Sequence, residues 1–161
     1  MTALANELSR IEEATTYAAQ SQFQQAKIWR GTNLLIGGPA AVLAAVSGAA
    51  GLADASNRTV AAILALLAAG LGAIVTTLNA AQRADAAHTA ANSYLAIQVE
   101  ARQLRLLDLP DLQPTEVRAL IADLTARHQQ VNASADIPAR IAYRLGRRNV
   151  TSGRQTYEVD S

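Results

Sequence analysis

The side chains in this sequence best placed to do chemistry are cations near its C-terminal end. Arg140, Arg144, Arg147 and Arg148 recur at helical spacing, and Ile141 and Leu145 supply an apolar side. Planar guanidinium groups in a row recognise anions, whether lipid headgroups, a nucleotide or an acidic face of a neighbour. The plain counterpart is a solvated face paired with local acids, because exposed ion pairs are common and contribute little. A second set is polar rather than charged. Thr76, Thr77 and Asn79 close an apolar run, and Arg83 follows at near-helical spacing. Polar groups at membrane depth face protein or water more often than lipid, so these four are candidate pore-lining residues.

Enzyme chemistry finds no support. His88 and His128 stand far apart, and neither has an Asp/Glu cluster at ligand spacing nearby. Gly37-Gly38-Pro39 lacks the Gly-Lys-Ser/Thr continuation of a phosphate loop. Arg102 and Arg105 have no interleaved aromatics, so no nucleic-acid surface is expected. There is no cysteine, which excludes a disulfide framework and a thiolate metal site. No cofactor or metal is expected. The formal net charge is +1, so no global charge calls for a polyanionic partner.

The elements that must position these residues are two apolar stretches. No charge falls from Gly31 to Ala53 or from Thr59 to Gln82, and only Asp54 and Arg58 lie between. A bilayer core of ~30 Å takes about 20 apolar residues in a helix. The alternative is a buried hairpin in a soluble bundle, the other home of a helix that is apolar all round. Two such helices would leave too little amphipathic chain to cover them, so a membrane hairpin is the reading adopted. Asp54-Ala55-Ser56-Asn57-Arg58 suits the turn, since Asn and Ser side chains bond the local backbone. Lys27 and Arg30 precede the first span and Arg83 follows the second, whereas Arg58 alone lies at the turn. That excess places both termini in the cytoplasm, with Trp29 as an interfacial anchor. The first thirty residues are polar and carry Glu12-Glu13, so no signal peptide is expected there.

Side-chain size is segregated within the spans. Gly37, Ala41, Ala44, Gly48 and Gly51 step by fours and threes along one helical face and are candidate helix-packing residues. Leu64, Leu67, Leu71, Val75 and Leu78 form a large stripe on the second span. Pro39 is a candidate kink.

The flanks read as helices. Leu4, Leu8, Ile11 and Ala18 mark an N-terminal amphipathic helix that a bend at Gly31-Thr32-Asn33 separates from the first span. The second span is expected to run on as one helix to Leu107, about 70 Å in all, with Ala87, Ala91, Tyr94, Gln98, Ala101 and Arg105 on one face. Pro110 stops it. Pro114 and Glu116 start another, with Val117, Leu120, Ile121 and Leu124 as its core stripe, running to about Val131. Pro138 leads into a last helix to about Arg148, and the tail from Thr151 to Ser161 reads as coil or a short extended segment. The expected class is therefore an all-α membrane protein, an oligomeric two-helix transmembrane hairpin with cytosolic helical extensions. Residues 1–30 form the N-terminal cytosolic helix, 31–82 the hairpin (spans about 33–53 and 59–81), and 83–161 the cytosolic helical region and tail.

Trp29-Arg30 before the first span, His88, Tyr94 and Arg102 after the second, Ile137-Pro138 with Tyr143, and Gly153 with Tyr157 together make the chain resemble the SLATT domain, the SMODS- and SLOG-associating two-transmembrane effector domain. The resemblance covers nearly the whole chain and rests mostly on architecture. It implies an effector of a bacterial conflict or anti-phage system in the cell membrane, sensing a nucleotide-derived signal from a partner and forming pores. No nucleotidyltransferase or SLOG domain accompanies it in this sequence. The trigger is then expected from a separate nucleotide-signalling or sensor protein, or from a diffusible ligand. The other partners implied are further copies of the chain and membrane lipid. A different class stays open beside the pore: a non-conducting anchor or scaffold whose cytosolic helices dock a partner.

Overall fold

The computed structural model describes residues 1–53 and 58–152, all of it helix or short connection with no strand. The expected turn at Asp54 to Asn57 and the tail from Gly153 to Ser161, Tyr157 included, lie outside the described residues. The elements are α1 (Thr2–Ala53), α2 (Arg58–Leu78), α3 (Ala80–Gln103), a π-helical turn (Leu104–Asp108), α4 (Pro114–Ser134) and α5 (Arg140–Thr151). They divide into two compact units, Lys27–Ala84 and the described part of Met1–Ala26 with Asp85–Ser161.

Two sequence expectations about continuity change. No bend occurs at Gly31-Thr32-Asn33, because α1 runs unbroken through it and through Pro39. Gly costs a helix only about 1 kcal/mol, less than opening the backbone ladder. Thr32 adds a bond of its own, its hydroxyl donating to the Ile28 carbonyl at 3.0 Å. Conversely, the second long helix is interrupted at one residue. Asn79 has φ 49°, the left-handed region that Asn tolerates better than most non-glycine residues. Its N–H still reaches the Val75 carbonyl at 3.1 Å, and its own carbonyl accepts from the Arg83 N–H at 3.0 Å. The hydrogen-bond ladder therefore survives on both sides of the break.

Within Lys27–Ala84, shielded positions step alternately by threes and fours. They are Ile36, Ala40, Leu43, Ser47 and Ala50 on α1, and Ala61, Leu64, Ala68, Leu71, Val75 and Leu78 on α2. This is the pattern of helices laid side by side along an apolar seam. The large apolar side chains off the seam are bare: Leu34, Leu35, Val42, Leu66 and Leu67 are more than half exposed. Both long helices are apolar enough to cross a membrane, and only 6% of each apolar window is buried. A soluble core helix of that length would be mostly covered.

The other unit is packed in the ordinary way. Leu8, Ile11, Thr15, Gln22 and Gln25 of α1 are buried along a seam of the same three-four spacing. The face expected on α3 is the buried one, with Ala87, Ala91, Tyr94 and Ala101 at 4% exposure or less. Leu8, Ile11, Ile97, Ala101, Leu104, Val117 and Leu124 make the main core cluster. Leu120, expected in the α4 stripe, is exposed, and Val117 and Leu124 with half-buried Ile121 carry the packing. At the start of α4 the Gln113 N–H donates to the Glu116 carboxylate at 2.9 Å, a favourable place for a negative charge. Arg105 donates through Nε and Nη2 to Glu12 Oε2 at 3.1 and 3.0 Å, joining the π-helical turn to α1.

Candidate functional site

The four C-terminal arginines sit on α5, whose attachment to α1 explains which way they point. The buried residues of α5 are Ala142 and Gly146, one turn apart. A Cβ built on Gly146 would lie 2.8 Å from the Ser21 nitrogen and 2.9 Å from its Cα, so this contact is backbone against backbone. The segment leading into α5 is held by two buried glutamines. The Gln22 Nε2 donates to the Asp136 carbonyl at 2.9 Å, and the Ala139 N–H donates to Gln25 Oε1 at 3.1 Å. With the small face turned inward, the arginines turn outward. Arg140, Arg144, Arg147 and Arg148 are exposed, as expected. Ile141 and Leu145, the expected apolar side, lie outside the buried face: they are 65% and 40% exposed, and Ile137 just before the helix is 91% exposed.

Beside this helix lies an open cavity of about 280 Å³ lined by Tyr17, Gln22, Tyr94, Asn132, Pro138 and Tyr143 among others. Gln22 Oε1 is buried and has no hydrogen-bond partner. The Tyr94 hydroxyl donates to Asn132 Oδ1 at 2.5 Å, and burial holds its pKa above the usual tyrosine range. The Tyr94 ring meets His128 edge-on, with centroids 5.7 Å apart. Burial also pushes His128 below the ordinary histidine value, because desolvation disfavours the charged imidazolium. His88 meets the Phe23 ring edge-on at 5.7 Å and lies 3.3 Å from Asn92 Nδ2 through Nδ1. Both histidines are thus in ring contacts, and no group of three or more His, Asp or Glu suited to a metal ion occurs among the described residues.

The candidate pore residues Thr76, Thr77, Asn79 and Arg83 are all exposed. The threonine hydroxyls donate to their own helix, Thr76 to the Gly72 carbonyl at 2.9 Å and Thr77 to Ala73 at 2.8 Å. Only acceptor lone pairs then remain to face outward. The Asn79 amide donates to Gln82 Oε1. The Arg83 guanidinium stacks over the Trp29 ring, 5.2 Å from its centroid, which anchors both at one end of the hairpin. Because Asn79 breaks the helical repeat, Thr76 and Arg83 are not related by a plain helical register.

The candidate packing face is placed just off the intrachain seam. Gly37 is half-buried and Ala41, Ala44, Gly48 and Gly51 are exposed. A Cβ added at any of the three glycines would meet nothing within 4 Å. Gln22 and Gln25 are buried packing residues that lie outside the faces read from the sequence. The signal was present, since they continue the three-four spacing of Leu8, Ile11, Thr15 and Ala18. A further feature is the outward face of α3 and the π-helical turn. Leu95, Val99, Leu106 and Leu107 line an open groove of about 420 Å³ with Arg102. No protein-family model, curated protein or solved structure matches the chain.

Proposed function

We propose that the chain is an oligomeric two-transmembrane effector of a bacterial conflict or anti-phage system that opens a membrane pore when triggered. In this reading it sits in the bacterial cell membrane with both termini cytoplasmic. The observation that carries it is the exposure of the two charge-free windows, which are 6% buried although they are the most apolar parts of the chain. Lipid is the solvent in which such surface costs nothing. The Trp29–Arg83 stack and nearby Lys27 and Arg30 gather cations and an amphipathic ring at one end of the hairpin, the cytoplasmic end under the positive-inside rule. The SLATT resemblance supplies the effector role.

One hairpin encloses no water path, so conduction requires several copies around a symmetry axis. Gly37, Ala41, Ala44, Gly48 and Gly51 offer the neighbour a face on which backbones approach closely. Thr76, Thr77 and Asn79 then line the cytoplasmic mouth, and a ring of Arg83 charges disfavours cations there. Release of Arg83 from Trp29 would be needed for that charge to turn to the water path. Reconstitution into planar bilayers tests the reading. Triggered oligomers should conduct, and Arg83→Glu should shift ion preference toward cations while leaving assembly intact. Silent bilayers and sealed dye-loaded vesicles, with and without candidate nucleotides or a partner protein, would remove the pore.

A second reading is favoured by the apolar groove on α3: a non-conducting anchor whose cytosolic helices dock a partner through Leu95, Val99, Leu106 and Leu107. It predicts no conductance, and loss of partner capture when Val99 and Leu106 become Ser.

A further inference from the structure

We infer that α5 lies against an anionic lipid surface, as a basic interfacial helix within the folded cytosolic unit. The inference rests on the membrane-spanning reading and adds a second, peripheral contact with the bilayer. Three observations meet on this element. First, its orientation is inverted relative to an ordinary packed helix. Ala142 and Gly146 face the protein, while Ile137, Ile141 and Leu145 project outward at 91%, 65% and 40% exposure. Burial of large apolar side chains normally decides a helix's orientation, so leaving them out needs an external apolar phase. Second, the outward arc is cationic as well. Residues 137 to 152 contain no Asp or Glu, and Arg140, Arg144, Arg147 and Arg148 form no ion pair among the described residues. At 100° per residue the arginines occupy one sector of the exposed arc, and Ile141 and Leu145 the sector beside it. Third, the docking is fixed. The backbone contact at Ser21 admits no side chain on Gly146, and Gln22 and Gln25 clamp the entering segment.

That combination fits a membrane interface better than a folded acidic partner. Apolar residues enter the headgroup–acyl boundary while long arginine side chains reach back to phosphates. The isoleucines and leucine alone are too few to hold a surface. Arginines near an anionic leaflet supply the rest, each shifting the docked-to-undocked ratio about fivefold.

The absence of cysteine makes the test direct. Ile141→Cys, Leu145→Cys and Leu67→Cys are made singly in the full chain and labelled with an environment-sensitive fluorophore. Each is then reconstituted into nanodiscs of phosphatidylcholine alone or with phosphatidylglycerol. The inference expects labels at 141 and 145 to blue-shift and be quenched by lipid-borne quenchers only in the anionic discs. Replacing Arg144 and Arg148 by Gln should lower the docked ratio about 25-fold, and added salt should lower it further. Labels at 141 and 145 that stay in water in both discs overturn the inference, as does an equal shift in neutral discs. A shift that appears only on adding polyglutamate overturns it in favour of an acidic protein partner. A label at Leu67 reporting water overturns the spanning reading and this inference with it. A lipid-buried Leu67 label beside water-exposed 141 and 145 labels overturns the inference alone.

Discussion

A methyl group added at Gly146 would meet the Ser21 backbone at 2.8 Å, whereas one added at Gly37, Gly48, Gly51, Gly70 or Gly72 would meet nothing within 4 Å. The same residue type serves two ends in the two units. In the unit of Met1–Ala26 and the described part of Asp85–Ser161, smallness admits a second backbone, and the large apolar residues Leu8, Val117 and Leu124 are fully covered. In Lys27–Ala84 the chain makes no use of its glycines, and the large residues Leu34, Leu35 and Leu66 are 74%, 78% and 73% exposed. One unit closes a core of its own, leaving out chiefly the groove on α3 and the face of α5. The other leaves its apolar surface for whatever surrounds it.

Core truncation separates the two units most strongly. Leu124→Ala removes a side chain that is 1% exposed and should cost about 2–5 kcal/mol in denaturant melts of detergent-solubilised protein. Leu66→Ala should stay within about 0.5 kcal/mol, as for an ordinary surface change. Equal costs would break the comparison. The glycines come next. Gly146→Val should destabilise by about 1–3 kcal/mol and reduce hydrogen-exchange protection across α5, because the Ser21 backbone cannot give way. Gly48→Ala should leave the melt unchanged. Gly48→Leu, with room inside the chain, should act only on assembly, lowering the oligomer fraction in detergent more than Leu67→Ala does.

A third, comparable or smaller effect concerns the clamp on the segment before α5. Gln25→Leu leaves the Ala139 N–H without its protein acceptor, at a cost of about 0.5–1.5 kcal/mol, read as faster proteolysis between Ala135 and Arg140. The smallest effect is acid sensitivity. Both histidines lie in the same unit, and His128 has a native pKa below its unfolded value of about 6.5. The unfolded chain then binds the proton first, so the stability contribution is present above about pH 6.5 and is lost as pH falls through the lower native value. Mild acid should loosen α4 in hydrogen exchange while the amides of α2 are unaffected. His128→Phe, which keeps a ring beside Tyr94, should remove the difference.

Where the sequence was informative, a single force decided the outcome. The two long apolar helices follow from an absence of charge, and the buried face of α3 from the recurrence of Ala87, Ala91, Tyr94 and Ala101. Pro110 and Pro114 bracket the connection between the π-helical turn and α4 because proline restricts the backbone locally. The reading failed where two weak signals competed. Gly31-Thr32-Asn33 has the composition of a bend, but a modest propensity cost does not open a ladder that the flanking helix completes. The orientation of α5 was invisible for a different reason. The spacing separates Ile141 and Leu145 from the arginines without saying which face packs, and nothing local reveals that Gly146 would meet a backbone 125 residues earlier. The arginine set was legible as cationic, but the sequence left open lipid, nucleotide or neighbour as its partner.

The alanine seam of the unit that contains α3 and α5 has a thermodynamic consequence. Ala87, Ala91, Ala101 and Ala142 lose no rotamer freedom on burial, yet each hides little apolar area. The heat-capacity change of unfolding scales with apolar area exposed, so a seam built of methyl groups contributes less to it than one built of leucines. A flatter stability curve follows, with a shallow maximum and gradual losses on warming and cooling. Calorimetry should find a heat-capacity increment per residue below the ~12–15 cal/mol/K usual for globular domains.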